Sequence, residues 1–153
     1  MPASDVPGPG PATALAPVIM LRPIRTLVLA RDLAFRQRAI TVLRDLGPVA
    51  FAIVDLGAPE RVIALIREQR ADVVVLDITG CAPAAAGVLT EIRDRAPMVG
   101  VVVVSDEVEV RSHANRALPK WGWASELTQA VQHVYRRDNR LNEETPHVNQ
   151  RYD

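Results

Sequence analysis

The chain has 153 residues, of which 48% are hydrophobic and 24% charged, an ordinary composition for one globular domain with tails. Its 18 basic and 18 acidic residues cancel, so the overall charge does not favour a nucleic acid or a membrane surface as a partner. The single cysteine, Cys81, excludes an internal disulfide framework. The apolar runs are too short to span a membrane, and the N-terminus lacks the basic n-region of a secretory signal. The sequence therefore predicts a cytoplasmic protein.

The two ends of the chain differ in composition from its middle. Residues 1–23 hold six of the twelve prolines, a density that disfavours helix and strand, and we interpret them as a disordered leader. Within this leader Val18–Leu21 is apolar, so it either stays a loose linker or docks on the domain or on a partner. Residues 139–153 form a polar tail without apolar periodicity, which leaves residues 24–138 as the predicted domain.

Strands and helices alternate along this domain. Short apolar runs predict strands at 25–30, 49–54, 72–77 and 101–104, and a weak fifth strand at 117–119. Apolar residues at helical spacing predict helices that begin near Leu33, at Pro59, near Pro83 and at Ser125. Their predicted inner faces are, in chain order, Leu33, Ile40, Leu43 and Leu46; Val62, Ile63, Leu65 and Ile66; Val88, Leu89 and Ile92; and Leu127, Ala130, Val131 and Val134. Asp32 and Ser125 are suited to be N-caps, whereas residues 107–116 are polar and their structure is left open. The alternation predicts a three-layer α/β sandwich around a five-stranded parallel sheet.

The third predicted strand carries the first candidate site residue. Between Asp72 and Asp77 the sequence is an unbroken run of valine and leucine, which is typical of a strand buried on both faces. In an open α/β sheet, ligands bind at the carboxyl ends of the strands. Asp77, which ends this strand, is therefore either the centre of a site or its relic.

Several segments match one known family in their order and spacing. The stretch ADVVVLD ends on Asp77, VVVVS ends on Ser105 and LPK ends on Lys120. EIRDRAP and SELTQAVQHVY add a segment before the fourth strand and the last helix. Together they make residues 25–137 resemble the receiver domain of bacterial response regulators, which has a flavodoxin-like (CheY-like) fold. The resemblance implies that Asp77 stands at the phosphoacceptor position, Ser105 at the Ser/Thr switch and Lys120 at the phosphate-pairing lysine.

The sequence departs from the receiver pattern where the family binds Mg²⁺. Receivers place two acidic residues directly after the first strand, but here these positions are Ala30 and Arg31. Ala30 has no ligand atom, Arg31 is a permanent cation, and Asp32 comes one place late. We expect Asp77 to pair with Lys120 and with Arg31, which would take the place of the metal; the alternative is that Arg31 is a solvated surface residue. This interpretation predicts neither a metal nor another cofactor.

Three further departures lie near the end of the domain. Asp106 follows the switch position, where the family usually has a small residue, and its carboxylate would oppose an incoming phosphoryl group. Trp121 follows Lys120 in place of a common proline. The interval from Ser105 to Lys120 is shorter than in most receivers, which predicts a shortened or missing fourth helix. In the family, that helix belongs to the face through which receivers commonly signal and dimerise.

The remaining candidates are two tryptophans, a serine and isolated metal-ligand types. Trp121 and Trp123 alternate, so one can face the core and the other a partner; alternatively both pack under the shortened fourth helix. Ser105 is either a switch hydroxyl or simply a residue at the end of a strand. Cys81 is predicted to be inert. The histidines match no metal-site spacing; they are His113, His133 and His147.

The sequence therefore predicts a non-enzymatic, receiver-like signalling protein that acts by protein–protein interaction without ordinary Mg²⁺-dependent phosphorylation. The partner would be a histidine kinase, another regulator or a second copy of the chain. The alternative is a working single-domain response regulator that is phosphorylated on Asp77 by a histidine kinase and uses Mg²⁺. An enzyme on the same scaffold is a third class, because fold does not fix function, but no second catalytic constellation supports it.

Overall fold

The computed structural model describes residues 22–78, 82–111 and 114–136, and in them five parallel strands form one sheet of order β2-β1-β3-β4-β5. The strands are β1 (Thr26–Leu29), β2 (Val49–Ala52), β3 (Val73–Asp77), β4 (Gly100–Val104) and β5 (Arg116–Leu118). The helices are α1 (Leu33–Leu43), α2 (Pro59–Gln69), α3 (Ala82–Arg95), α4 (Val108–Arg111) and α5, which spans 123–136. The predicted tail and most of the leader, including Val18–Leu21, lie outside the described residues.

The helices cover both faces of the sheet, as the alternating pattern predicts. One core contains β-strand side chains together with α1 and α5, and the other contains strand side chains together with α2, α3 and α4. Strand β3 lies in the middle, where Val73 and Val75 point into the first core while Val74 and Leu76 point into the second. The prediction of a three-layer sandwich around a five-stranded parallel sheet is confirmed, and the burial of β3 explains its unbroken apolar sequence.

Helix α1 begins where the sequence predicts but presents a different face to the core. Asp32 is the N-cap and accepts a hydrogen bond from the backbone nitrogen of Ala34 at 2.9 Å. The buried stripe is Phe35, Ala39 and Leu43, at intervals of four residues. Leu33, which the sequence suggested for this stripe, is exposed, because it stands two residues before Phe35 and so nearly on the opposite side of the helix.

Helices α2 and α3 agree with the predicted start and inner face. Pro59 occupies the first turn of α2, and Val62, Ile63 and Ile66 are its buried residues. The backbone leaves α2 through Arg70, which has the left-handed φ of 52° that is common at helix ends. In α3 the stripe of Val88, Leu89 and Ile92 is buried, as predicted.

The connection from β4 to β5 is short, which confirms the prediction of a shortened fourth helix. Within residues 107–116, α4 covers only Val108–Arg111, and β5 begins at Arg116. The side-chain oxygen of Asn115 accepts a hydrogen bond from the backbone nitrogen of Val101 at 2.7 Å and so ties the loop to β4. Pro119 follows β5 directly, where no further strand hydrogen bond is required of it.

The start of α5 differs from the prediction by two residues. Ser125 was expected to be the N-cap, but the helix already begins at 123, so Ser125 lies in its first turn. The Ser125 hydroxyl donates to the carbonyl of Gly122 at 3.0 Å instead of capping the helix by accepting. Gly122 has a φ of 86°, and this left-handed residue turns the chain into the helix earlier than the sequence suggested. The predicted inner residues are buried; they are Leu127, Ala130, Val131 and Val134.

Candidate functional site

The loops that follow the parallel strands meet at the carboxyl edge of the sheet and enclose a cavity of about 330 Å³. Asp77 is the last residue of β3, Ala30 follows β1, and Lys120 lies two residues beyond β5. The residues that line the cavity are Ala30, Arg31, Asp32, Val54, Leu56, Asp77 and Lys120. The structure thus brings together four positions that the sequence singled out, namely those of Asp77, Lys120, Ala30 and Arg31.

An ion pair between Lys120 and Asp77 lies at the centre of this site. The Lys120 ammonium donates to both carboxylate oxygens of Asp77, at 3.2 Å and 3.1 Å. The Asp77 side chain is only 5% exposed, whereas that of Lys120 is 35% exposed. The same ammonium lies 5.5 Å from the centre of the Phe35 ring, within range of a cation–π attraction. The site therefore holds a shielded carboxylate beneath a cation that reaches in from solvent.

The position of Arg31 corrects one expectation. We expected its guanidinium to pair with Asp77, but Arg31 is exposed and the ion pair on Asp77 comes from Lys120. Arg31 lies in the bend between β1 and α1, where Asp32 is already fixed as the N-cap of the helix. The ammonium of Lys120 sits on a long flexible stem that can pass over Phe35 and reach both oxygens of the acid. Arg31 instead contributes to the rim of the cavity.

Among the described residues, the donor set around Asp77 does not fit Mg²⁺. That ion needs a near-octahedral set of oxygen ligands. Ala30 offers no side-chain ligand, and the Asp32 carboxylate accepts from the backbone of α1. Both oxygens of Asp77 already face the ammonium of Lys120. In the described part of the chain, no three His, Cys, Asp or Glu side chains are grouped so that they could hold a metal ion.

Ser105 and Asp106 fix the loops on the far side of the site. Ser105 is buried at the end of β4, and its hydroxyl accepts a hydrogen bond from the backbone nitrogen of Glu107 at 2.9 Å. Asp106 accepts from the backbone nitrogen of Lys120 at 3.1 Å. From the sequence, the Asp106 carboxylate was expected only to oppose an incoming phosphoryl group. Its carboxylate also holds the main chain from which the Lys120 side chain extends toward Asp77.

The two tryptophans point in opposite directions. Trp123 is buried, and its ring lies 4.2 Å from that of Phe35, centre to centre, at an angle of 33°. Trp121 is 88% exposed. This arrangement matches the alternation of core and surface that their spacing suggested, and the alternative in which both pack under the fourth helix does not apply. Whether Trp121 contacts a partner remains a proposal.

Phe35, Val54 and Leu56 belong to the site but were not predicted as site residues. Phe35 lies under the Lys120 ammonium, and the other two line the cavity. Val54 and Leu56 follow β2, and the carboxyl ends of all strands in a parallel sheet meet at one edge. Their place at the site could therefore have been predicted from the sequence. The role of Phe35 depends on where α1 packs, and no local sequence signal indicates it.

The other residues considered in the sequence contribute nothing to this site. Cys81, His113 and His147 lie outside the described residues. His133 is on the exposed side of α5, away from the cavity lining. Among the helices that the structure describes, none is both long and apolar enough to cross a membrane.

Comparison with known proteins finds similar structures but no similar sequences. No protein-family model matches the sequence. No curated protein matches it either. Solved structures do match, and one is a response regulator receiver domain protein from Clostridium thermocellum, at 20% identity and a TM-score of 0.63 over 77% of this chain and 98% of the other.

Two further structures show the same likeness. The signal receiver domain of the putative response regulator NarL from Mycobacterium tuberculosis is 21% identical, with a TM-score of 0.61 over 75% of this chain and 98% of that one. Chemotaxis response regulator CheY4 of Vibrio cholerae is 16% identical, with a TM-score of 0.60 over 74% of this chain and 99% of that one. The strand order β2-β1-β3-β4-β5 is that of the flavodoxin-like sheet. The predicted receiver (CheY-like) fold is confirmed.

Proposed function

We propose that this chain with a receiver fold is a non-enzymatic signalling protein that acts by protein–protein interaction, without ordinary Mg²⁺-dependent phosphorylation. The observation that carries the proposal is that Ala30 and Arg31 line the cavity beside Asp77, at the positions where receivers place the metal-binding acidic pair. Phosphoryl transfer to a carboxylate relies on metal charge to neutralise the phosphoryl oxygens. Here one ammonium faces Asp77, and Ala30 provides no ligand for a metal beside it.

The charge of the site supports the same conclusion. Lys120 and Arg31 add two cations to the cavity lining, and Asp77 and Asp32 add two anions. Because the permanent cation Arg31 stands at a position where receivers place a metal-binding acid, a divalent ion in this cavity would meet repulsion in addition to missing ligands. The Asp77 carboxylate then serves as one half of an internal ion pair that closes the carboxyl edge of the sheet.

A protein that is not switched by phosphate needs another input, and we propose that this is a binding partner in the cytoplasm. Trp121 supports this role, since a tryptophan that is 88% exposed is well suited to be an interface anchor. It lies directly after Lys120, which lines the cavity. The partner would be a histidine kinase, another regulator or a second copy of the chain.

The second candidate function is a phosphoacceptor that uses Asp77, Lys120 and Ser105. The contact between Lys120 and Asp77 favours it, because the same lysine would pair with a phosphoryl group on that aspartate. This function would require Mg²⁺ to bind a site that lacks the two acids after β1. It would also require a histidine kinase as phosphodonor.

A phosphorylation assay separates the two candidates. The purified protein is incubated with Mg²⁺ and acetyl phosphate, or with beryllofluoride, and followed by intact mass and amide chemical shifts. We expect no adduct and no shift in the wild type, and a gain of Mg²⁺ binding in the Ala30→Asp, Arg31→Asp double variant. A stoichiometric wild-type adduct that disappears in Asp77→Asn would establish the phosphoacceptor instead.

The interaction itself is tested by exchanging exposed apolar side chains. Trp121→Ala is compared in a pull-down with Met98→Ala, a matched control in which an exposed apolar residue before β4 is shortened. We expect Trp121→Ala to lose proteins that the wild type and the control retain. If all three capture the same set, Trp121 is not the anchor of the interaction.

A further inference from the structure

Strand β2 is an edge strand of the sheet. Among the residues that the structure describes, it pairs with β1 on one side and with no strand on the other. The carbonyls of Pro48 and Ala52 accept hydrogen bonds from the backbone of the β1 segment at 3.0 Å and 3.4 Å. Backbone groups alternate in direction along a strand, so those of Val49, Phe51 and Ile53 point away from β1. A row of main-chain donors and acceptors therefore faces outward along β2 and its continuation.

The same edge presents apolar side chains. Phe51 is 50% exposed and Ile53 is 59% exposed, and both lie on one face because they are two residues apart. That face is the one covered by α1, whose Arg36 lies over the Phe51 ring at 5.3 Å and whose first residue, Leu33, is also exposed. The helix thus leaves an apolar strip along the edge uncovered.

Strand β2 lacks the sequence features that usually protect an edge strand. Proteins usually block edge strands with charges, proline or bulges, but residues 49–54 contain no charged residue and no proline. The opposite edge differs, because β5 is three residues long and carries Arg116, which forms an ion pair with Glu126 at 3.9 Å. Strand β2 therefore lacks the charge that marks the β5 edge.

We propose that the β2 edge is a self-association surface, on which β2 of a second copy pairs antiparallel about a two-fold axis through Ala52. An occupant of this edge has to be a strand, because it must satisfy the outward main-chain groups. It also has to carry apolar residues at every second position and no charge that would face the strip. Strand β2 itself meets all of these requirements.

The two-fold axis makes the exposed side chains complementary. With Ala52 on the axis, Phe51 of one copy stands opposite Ile53 of the other, which forms an aromatic and β-branched cross-strand pair twice. Phe51 and Ile53 have outward main-chain groups, so each such pair is hydrogen-bonded, and Ala52 forms the non-hydrogen-bonded pair on the axis. The two sheets then continue into each other.

Sedimentation velocity over a range of concentrations tests the surface. The wild type should show a monomer–dimer equilibrium, and Ile53→Lys should raise the dissociation constant at least tenfold, since it places a charge in each cross-strand pair. Ile53→Thr keeps a β-branched residue and should weaken the dimer less. Met98→Lys, at an exposed apolar site before β4, should behave as the wild type. A wild type that stays monomeric, or an Ile53→Lys variant that dimerises as well as the wild type, overturns the proposal.

A disulfide trap tests the axis. In a Cys81→Ser background, Ala52→Cys places two thiols across the non-hydrogen-bonded pair, where Cα atoms about 4.5 Å apart are within disulfide range. We expect a covalent dimer on mild oxidation, and none from Gln129→Cys on the exposed side of α5. Equal cross-linking of both variants, or none from Ala52→Cys, would show that β2 does not pair in this way.

Discussion

The ammonium nitrogen of Lys120 lies 3.1 Å and 3.2 Å from the two carboxylate oxygens of Asp77, although the two residues are 43 positions apart in the chain. The pair is asymmetric: the acid is almost fully shielded from solvent and the lysine is partly open to it. Removal of the lysine should therefore destabilise the carboxyl edge of the sheet, because the shielded Asp77 carboxylate would lose a charged contact that water cannot readily replace.

Replacing Lys120 by methionine should lower the free energy of unfolding by about 1–3 kcal/mol, because it removes the cation that faces a shielded carboxylate. Urea denaturation measures the change. Arg95→Met is a suitable control, since Arg95 pairs with Glu91 at 3.6 Å on the exposed surface of α3 and should cost no more than about 0.5 kcal/mol. A Lys120→Met variant as stable as the wild type would show that the acid is satisfied without the lysine.

The two tryptophans should respond differently to truncation. Trp123→Ala removes a buried ring that stacks near Phe35 and should cost about 3–5 kcal/mol. Trp121→Ala, at an exposed position, should change stability by no more than about 0.5 kcal/mol. Thermal unfolding of both variants measures the difference. Acrylamide should quench most of the fluorescence of a Trp123→Phe protein and much less of that of Trp121→Phe; equal quenching would contradict the assigned burial.

Two glycines form a matched pair for a test of backbone constraint. Gly47 has a φ of 152°, and a Cβ there would collide with the backbone of Ile24, whose nitrogen would be 2.7 Å away. Gly47→Ala should therefore destabilise the protein by more than about 1 kcal/mol. Gly87 lies within α3 with open space around it, so Gly87→Ala should stabilise by about 0.5–1 kcal/mol. Chemical denaturation that gives both variants the same sign would refute this account.

The N-cap of α1 offers a further measurable contribution. Asp32→Ala removes the acceptor of the 2.9 Å hydrogen bond from Ala34 and should cost about 0.5–2 kcal/mol. Asp32→Asn keeps an oxygen in the same place and should retain most of that stability. If urea denaturation finds the two substitutions equally costly, the charge of Asp32 in the cavity lining, rather than its capping role, would be the stabilising factor.

Several features of the fold were predictable because they depend on local periodicity. The valine run before Asp77 predicts a strand buried on both faces, and the structure places β3 at the centre of the sheet. Asp32 and Pro59 mark the starts of α1 and α2 because capping and a fixed φ act within one turn. The start of α5 was missed by two residues, because the left-handed Gly122 redirects the chain before Ser125.

The sequence by itself determined the order of strands and helices, the receiver-like fold and the gathering of Asp77, Ala30 and Lys120 at one edge. The tertiary structure decided which cation Asp77 meets. Arg31 and Lys120 both follow strands at that edge, but only Lys120 crosses Phe35 to reach the acid. It also decided that Phe51 and Ile53 stay uncovered, because the width of sheet that α1 covers depends on how the helix packs. Such contacts depend on side-chain reach between distant elements, which local sequence patterns do not contain.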